Sequence, residues 1–126
     1  MKLHADASSA QSIQAYGEGW ISVNGEKITH SVVLSADAGR THWGCEKLAD
    51  IGPDHFTQVL ALNPELVIFG SGKKLHFLHP SLMASLINRG IGVETMDTAA
   101  ACRTYNVLAH EGRRVVACLL MEAPTA

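Results

Sequence analysis

The sequence has few charged residues, few aromatic residues and almost no excess of either sign of charge. Only 17% of its 126 residues are charged, and 10 Lys and Arg against 12 Asp and Glu leave a net charge of −2. This balance disfavours a basic nucleic-acid-binding protein, and we expect no nucleic-acid partner. The apolar content of 47% instead favours an α/β fold whose strands are covered on both faces.

The sequence also lacks a close pair of cysteines, an apolar leader and a membrane span. Cys45, Cys102 and Cys118 are far apart in the chain, which indicates a reducing compartment. Residues 1–19 contain neither an apolar run nor an arginine-rich segment, so we expect a cytoplasmic protein. The apolar run at 115–121 stops after seven residues, far short of the ~20 that a span requires. We therefore expect no direct membrane insertion, so that any membrane association is indirect.

The first part of the chain, residues 1–53, predicts a β-hairpin followed by an irregular crossover. Segments rich in β-branched residues at 20–23 and 28–34 flank Asn24-Gly25, which favours the positive φ angles of a type I′ turn. Residues 35–53 contain several glycines and a proline around Trp43 and Ile51, and they predict the partly buried crossover.

The second part, residues 54–126, predicts a short helix and then a regular β-α-β-α-β pattern. The helix is expected at 54–62, and the predicted strands are 66–69, 91–95 and 114–121. The last strand is apolar enough to be central and covered on both faces.

Two further helices connect these strands. One begins near His79 or Ser81 and ends at Arg89-Gly90. The other extends from Asp97 to about His110, and its periodicity directs Ala101, Thr104, Val107 and Leu108 inward and Arg103, Asn106 and His110 outward. Together these elements predict a single three-layer α/β domain over residues 1–126 with a central mixed β-sheet.

A glycine-rich loop, Gly70-Ser71-Gly72-Lys73-Lys74, directly follows the buried strand at 66–69. Such loops can present backbone N–H groups and ammonium groups to an anion. The loop is not a Walker P-loop, because Leu75 stands where that motif has Ser or Thr. A tight turn with solvated lysines is the alternative interpretation, and the sequence leaves both open.

A second polar set lies on the helix that Asp97 begins. If the strands at 66–69 and 91–95 are parallel and adjacent, their carboxyl ends place the glycine-rich loop beside this helix N-terminus and form a crevice. The alternative is that Asp97 only caps the helix and that its outward face is simply solvated. The candidate ligand- or partner-binding residues are Gly70, Ser71, Gly72, Lys73, Asp97, Thr98, Arg103 and Asn106.

Metal and nucleophile signals are weak. His42-x-x-Cys45 and His76-x-x-His79 each have the spacing of two metal ligands, but neither is joined by a matching second pair. Cys102 lies near a helix N-terminus, which favours a thiolate, but no base partner accompanies it. We predict no metal site, no cofactor and no catalytic residue, and we favour a non-enzymatic protein.

Residues 63–120 resemble a known family. The resemblance rests on Asn63-Pro64-Glu65-Leu66, Phe69-Gly70-Ser71-Gly72, the stretch from Arg89 to Asn106, and Glu111-Gly112-Arg113-Arg114. The chain is similar to the small α/β domain family of largely unknown function that includes the mitochondrial NADH dehydrogenase complex I assembly factor three and an adipogenesis-associated cytosolic protein. This resemblance implies a three-layer fold around a central mixed sheet and no established catalytic residue.

Three functional hypotheses follow. The leading one is a cytoplasmic protein-interaction or complex-assembly module that contacts an unidentified protein through the crevice edge and the hairpin face. The alternative is a small-molecule or anion-binding protein, potentially an enzyme, that uses the crevice between the Gly70–Lys74 loop and the Asp97 helix N-terminus. Homodimerisation through the exposed edges of the hairpin is compatible with both.

Overall fold

A computed structural model describes residues 11–122. In this part of the chain, eight strands form two sheets, with bounds β1 Ile13–Gly17, β2 Trp20–Val23, β3 Glu26–Ile28, β4 Val32–Ser35, β5 Gly39–His42, β6 Leu66–Gly70, β7 Gly92–Met96 and β8 Val115–Leu119. The α-helices are α1 Pro53–Thr57, α2 Ala84–Ile87 and α3 Thr98–His110. Short 3-10 helices cover Leu48–Asp50, Gln58–Leu62 and Pro80–Met83.

Strand β8 is the middle strand of a five-stranded sheet with the order β5-β4-β8-β6-β7. It pairs antiparallel with β4 and parallel with β6, and β6 also pairs parallel with β7. All five residues of β8 are buried. The predicted central mixed sheet, with the last strand as its core, is therefore confirmed.

Two layers cover the two faces of this sheet. Because side chains alternate along a strand, Val115, Ala117 and Leu119 point to one face of the sheet, where they pack with α3 and the three-stranded sheet β1-β2-β3. Val116 and Cys118 point to the other face and belong to the cluster of Trp43, Phe56, Val59, Phe69 and Leu86. The structure thus has the three layers that the sequence predicts.

The predicted hairpin is confirmed around Asn24-Gly25, whose φ angles are +52° and +81°, but its second strand is shorter than predicted. Strand β3 ends at Ile28 because it pairs with the four-residue strand β2, in which Ile21 already faces Ile28. The remainder of the predicted strand, β4, leaves this sheet and pairs with β8 and β5.

The predicted irregular crossover at 35–53 also contains a strand, β5, which pairs with β4. The prediction of irregular structure over 39–42 was therefore wrong. The anchors expected in this segment are confirmed, because Trp43 is completely buried and Ile51 is 7% exposed. Strand β1, which the sequence analysis does not predict, adds a third strand to the hairpin.

Two of the three predicted helix N-termini are confirmed. The His79 ring nitrogen accepts a hydrogen bond from the Ser81 N–H at 3.1 Å, and the chain then forms the 3-10 helix Pro80–Met83. The Asp97 carboxylate caps α3 by accepting a hydrogen bond from the Ala100 N–H at 2.8 Å.

The third helix, expected over 54–62 with Asp54 as its N-cap, instead has Gly52 as its N-cap. It is α-helical only over Pro53–Thr57 before it continues as a 3-10 helix.

The predicted inward face of α3 is partly wrong. Ala101, Cys102 and Tyr105 are completely buried, whereas Val107 is 57% exposed. The helix is rotated so that the Tyr105 ring packs beneath it, and Val107, two residues and about 200° further round the helix, then faces solvent.

Asn106 forms hydrogen bonds within the protein, which corrects the alternative that the outward face of α3 is simply solvated. Its side chain accepts a hydrogen bond from the Ile13 N–H at 2.9 Å and donates one to the Ile13 carbonyl at 2.7 Å. The amide therefore joins α3 to the first strand of the small sheet.

We expect Asn106→Ala to lower the free energy of unfolding by about 1–3 kcal/mol, because both Ile13 backbone groups lose their partner. Urea denaturation measures this change. The exposed Asn88 provides a matched control, and Asn88→Ala is expected to stay within about 0.5 kcal/mol of the wild type. Equal effects of the two substitutions would contradict a structural role for Asn106.

Candidate functional site

A crevice of about 490 Å³ opens where β6 and β8 end and α3 begins. Its opposite side is formed by the turn between β1 and β2. The lining comprises residues 16–19, 72–73, 98–99 and 120–122. The parallel pairing of β6 with β7, on which the predicted crevice depends, is present in the structure.

Gly70 and Ser71 lie beneath the crevice and are buried. A Cβ atom on Gly70 would lie 3.1 Å from both the Ala101 Cβ and the Thr98 Cα, so glycine allows α3 to approach β6 closely. The Ser71 hydroxyl donates to the Lys74 carbonyl at 2.7 Å and accepts from the His76 N–H at 3.0 Å. Both residues therefore support the loop from below.

Thr98 connects three segments at the floor of the crevice. Its N–H donates to the Gly72 carbonyl at 2.9 Å, and its hydroxyl accepts from the Gly72 N–H at 2.8 Å. The same hydroxyl donates to the Leu120 carbonyl at 3.0 Å. One threonine thus holds together the glycine-rich loop, the start of α3 and the segment that follows β8.

The charged groups of the crevice are Glu18, Lys73 and Glu122. The Lys73 Nζ lies 3.4 Å from a Glu18 carboxylate oxygen, and both side chains are largely exposed. The Glu122 carboxylate accepts a hydrogen bond from the Lys73 N–H at 3.3 Å. It also lies against Gly72, whose φ of +101° favours glycine and where any Cβ would clash with this carboxylate.

Three consecutive N–H groups of the glycine-rich loop, those of residues 71–73, are already hydrogen-bonded within the chain. Ser71 N–H donates to the Met96 carbonyl, Gly72 N–H to Thr98 and Lys73 N–H to Glu122. An incoming anion would have to displace these partners, one of which is itself an anion. The crevice therefore presents two carboxylates and one ammonium group around its mouth.

The remaining candidate residues lie outside the crevice lining. Asp97 caps α3, and Asn106 binds the backbone of Ile13. Arg103 donates a hydrogen bond to the Tyr16 hydroxyl at 3.1 Å, and Tyr16 does line the crevice. The structure thus brings Gly72, Lys73 and Thr98 together in the crevice lining, places Gly70 and Ser71 beneath it, and leaves Asp97, Arg103 and Asn106 outside it.

Sequence analysis did not identify two segments of the crevice, the β1–β2 turn and residues 120–122. Of these two segments, only the turn has a sequence feature that could have marked it as part of a site. In Gly17-Glu18-Gly19, a charged residue lies between two glycines. Neither segment is close in sequence to the glycine-rich loop, so only the packing of the two sheets reveals their proximity.

The cysteines considered above as nucleophiles or metal ligands are buried, and the His42 ring is packed against a neighbouring side chain. Cys102 is completely buried, and burial raises the pKa of its thiol to about 12. Burial likewise raises the pKa of the Cys45 thiol to about 11. Both thiols therefore stay protonated at neutral pH. The His42 ring stacks on that of His30, with 4.3 Å between their centroids.

Residues 11–122 contain neither a cluster of metal ligands nor a membrane-spanning helix. Across this range, three or more His, Cys, Asp or Glu side chains do not come together in a group suited to a metal ion. None of the helices described here has both the length and the apolar character needed to cross a membrane.

Similarity to known sequences covers almost the whole described region. The family described as "Protein of unknown function (DUF498/DUF598)" matches residues 13–120. The mouse NADH dehydrogenase [ubiquinone] 1 alpha subcomplex assembly factor 3 is 32% identical over 120 residues, which cover 94% of this chain. The chain spans only 64% of the length of that relative.

Bacterial proteins are similar over more of their own length. An uncharacterised protein from Rhodobacter capsulatus is 34% identical, over 90% of this chain and 86% of its own. A crystal structure from Bordetella parapertussis superposes with a TM-score of 0.84 at 38% identity, over 90% of this chain and 97% of that one. The family resemblance is therefore confirmed, and the chain belongs to the DUF498/DUF598 family of proteins of unknown function.

Proposed function

We propose that this chain is a protein-interaction module that takes part in the assembly of a larger complex, and that its crevice receives a side chain of the partner. The similarity to assembly factor 3 supports the assembly role. The observation that carries the proposal is the crevice itself, whose lining combines apolar residues with three charged ones. Side chains that fill such pockets commonly contribute most of the binding energy of an interface.

The chemistry of the crevice favours a cationic side chain. Ala99 offers exposed apolar surface above the buried Leu120 and Met121, and the carboxylates of Glu18 and Glu122 outnumber the ammonium group of Lys73. The ion pair between Glu18 and Lys73 is exposed and therefore weak, so a second cation can compete for Glu18. A lysine or arginine of the partner would place its methylene stem on the floor and its charge between the carboxylates.

The three cysteines support a location in the cytoplasm. All three are free and buried, a state that a reducing compartment preserves. We accordingly propose that the interaction takes place there.

Photo-crosslinking tests this interaction directly. With a benzophenone amino acid in place of Tyr16, we expect an adduct with a discrete host protein, and the attached peptide is expected to contain Lys or Arg. The double variant Glu18→Gln/Glu122→Gln should lower the yield of this adduct at least tenfold, since the loss of even one charged hydrogen bond, about 1.5–3 kcal/mol, weakens binding about tenfold or more. Glutamine keeps an acceptor for the Lys73 N–H, so the loop retains its conformation. Mass spectrometry identifies the adduct and its peptide.

Two matched controls accompany this experiment. Glu94→Gln removes an exposed carboxylate from β7, outside the crevice lining, and is expected to leave the yield unchanged. The same benzophenone residue at Val107, which is exposed on α3, is expected to give no such adduct. An unchanged yield in the double variant would sink the proposal.

A second candidate function is small-molecule binding in the same crevice. The volume of about 490 Å³ supports it, because ligand pockets usually measure about 300–1,000 Å³. The occupied loop N–H groups favour an amine over the anionic ligand that the sequence suggests.

A thermal-shift screen separates the two ligand classes. An amine present at about 100 times its Kd should add about 2.7 kcal/mol of apparent stability. We expect this gain to disappear in Glu18→Gln/Glu122→Gln and to persist in Lys73→Ala. A shift caused by a phosphate or carboxylate compound and lost in Lys73→Ala would instead establish the anion site.

A further inference from the structure

Residues 71–93 contain no aspartate or glutamate, although the whole chain has 12 such residues and a net charge of −2. The same stretch contains Lys73, Lys74 and Arg89. It also contains three of the four large apolar side chains that are exposed within residues 11–122, namely Leu75, Phe77 and Ile87, which are 51%, 74% and 49% exposed. Positive charge and exposed apolar surface thus occur together in one segment.

The most exposed of these side chains lie on a loop that the protein holds in place. Residues 73–79, which we term the docking loop, are fixed at one end by the two hydrogen bonds of the Ser71 hydroxyl. At the other end, Leu78 packs against the core cluster around Trp43, and His79 caps the following 3-10 helix. Phe77 is therefore presented to solvent by a backbone that is anchored on both sides.

Of the three apolar side chains of the docking loop, one lies against the core and two are in solvent. Leu78 packs against the protein core, whereas Leu75 and Phe77, two residues apart, are both exposed. The exposed Lys74 immediately precedes them. Glu18 and Glu122 lie beside Lys73, whereas Lys74 forms no ion pair with the carboxylates of residues 11–122.

We propose that the docking loop binds the surface of an anionic lipid bilayer. Phe77 and Leu75 would enter the headgroup region, and Lys74 would contact the lipid phosphates or carboxylates. Peripheral proteins combine these same two contributions, because apolar side chains at the interface and nearby cations act together on anionic membranes. This proposal departs from the sequence-based expectation of indirect association, which rested on the lack of a membrane span.

A lipid surface fits this loop better than a second protein does. A stable protein interface buries about 800 Å² on each partner, whereas a single protruding loop with two exposed apolar side chains offers much less. A bilayer sets no fixed interface area, because the strength of attachment scales with the apolar area that enters it and with the attraction of cations to anionic lipids. The crevice interaction proposed above does not depend on this surface.

Vesicle co-sedimentation of the full chain tests the proposal. We expect binding to phosphatidylcholine vesicles that contain phosphatidylserine, little binding to phosphatidylcholine alone, and weaker binding at high salt. Phe77→Ser should lower the partition coefficient about tenfold or more. Lys74→Gln should lower it about fivefold on the anionic vesicles.

Val107→Ser provides the matched control, since Val107 is also an exposed apolar residue but lies on α3. It should leave binding unchanged, and urea denaturation should show that Phe77→Ser and Val107→Ser both remain folded. The proposal is overturned if the wild type does not bind the anionic vesicles. It is equally overturned if Val107→Ser weakens binding as much as Phe77→Ser does.

Tryptophan fluorescence reports on insertion independently of affinity. With anionic vesicles, the emission of Phe77→Trp, after subtraction of the wild-type emission from Trp20 and Trp43, should shift to shorter wavelength and be quenched by lipids labelled near the headgroup. Val107→Trp should show neither change. Vesicle binding without a change at position 77 would overturn the assignment of the docking loop.

Discussion

Strand β8 must be covered on both faces, and most of the architecture satisfies this requirement. Val115, Ala117 and Leu119 require the layer formed by α3 and the small sheet, whereas Val116 and Cys118 require the aromatic cluster around Trp43. Exposing either face would remove a large share of the apolar burial that stabilises the fold. The same strand leads directly into residues 120–122, so the arrangement of the core also brings Glu122 to the crevice.

The glycine-rich loop illustrates how a sequence motif acquires its role from its surroundings. In isolation, its backbone N–H groups resemble an anion-binding cradle, but Met96, Thr98 and Glu122 satisfy them within the fold. The loop consequently serves as a fixed base. From this base the chain presents Lys73 to the crevice on one side and Phe77 to solvent on the other. The N–H groups of residues 71–73 fix the crevice side and the Ser71 hydroxyl fixes the docking loop, so two different surfaces depend on the hydrogen bonds of three neighbouring residues.

The strands and helices that could be predicted are those that a short stretch of neighbouring residues specifies. Strands β6 and β8 are continuous apolar runs, and Asp97 begins α3 with an ordinary N-cap. The division of β3 from β4 has no comparable local signal, because it depends on where β2 ends and on the distant partner β8. The orientation of α3 likewise depended on how the large Tyr105 ring packs against the sheet, and this reversed the expectation for Val107.

The sequence by itself determined the α/β class, the central position of its last strand, the turn at Asn24-Gly25 and the family. These properties follow from apolar periodicity, backbone preferences and motifs, all of which act over a few neighbouring residues. Only the tertiary structure decided which polar groups share the crevice, because Glu18, Lys73 and Glu122 are far apart in the chain. It also decided that Phe77 is exposed while Leu78 is buried, since that difference arises from contacts with distant layers of the fold.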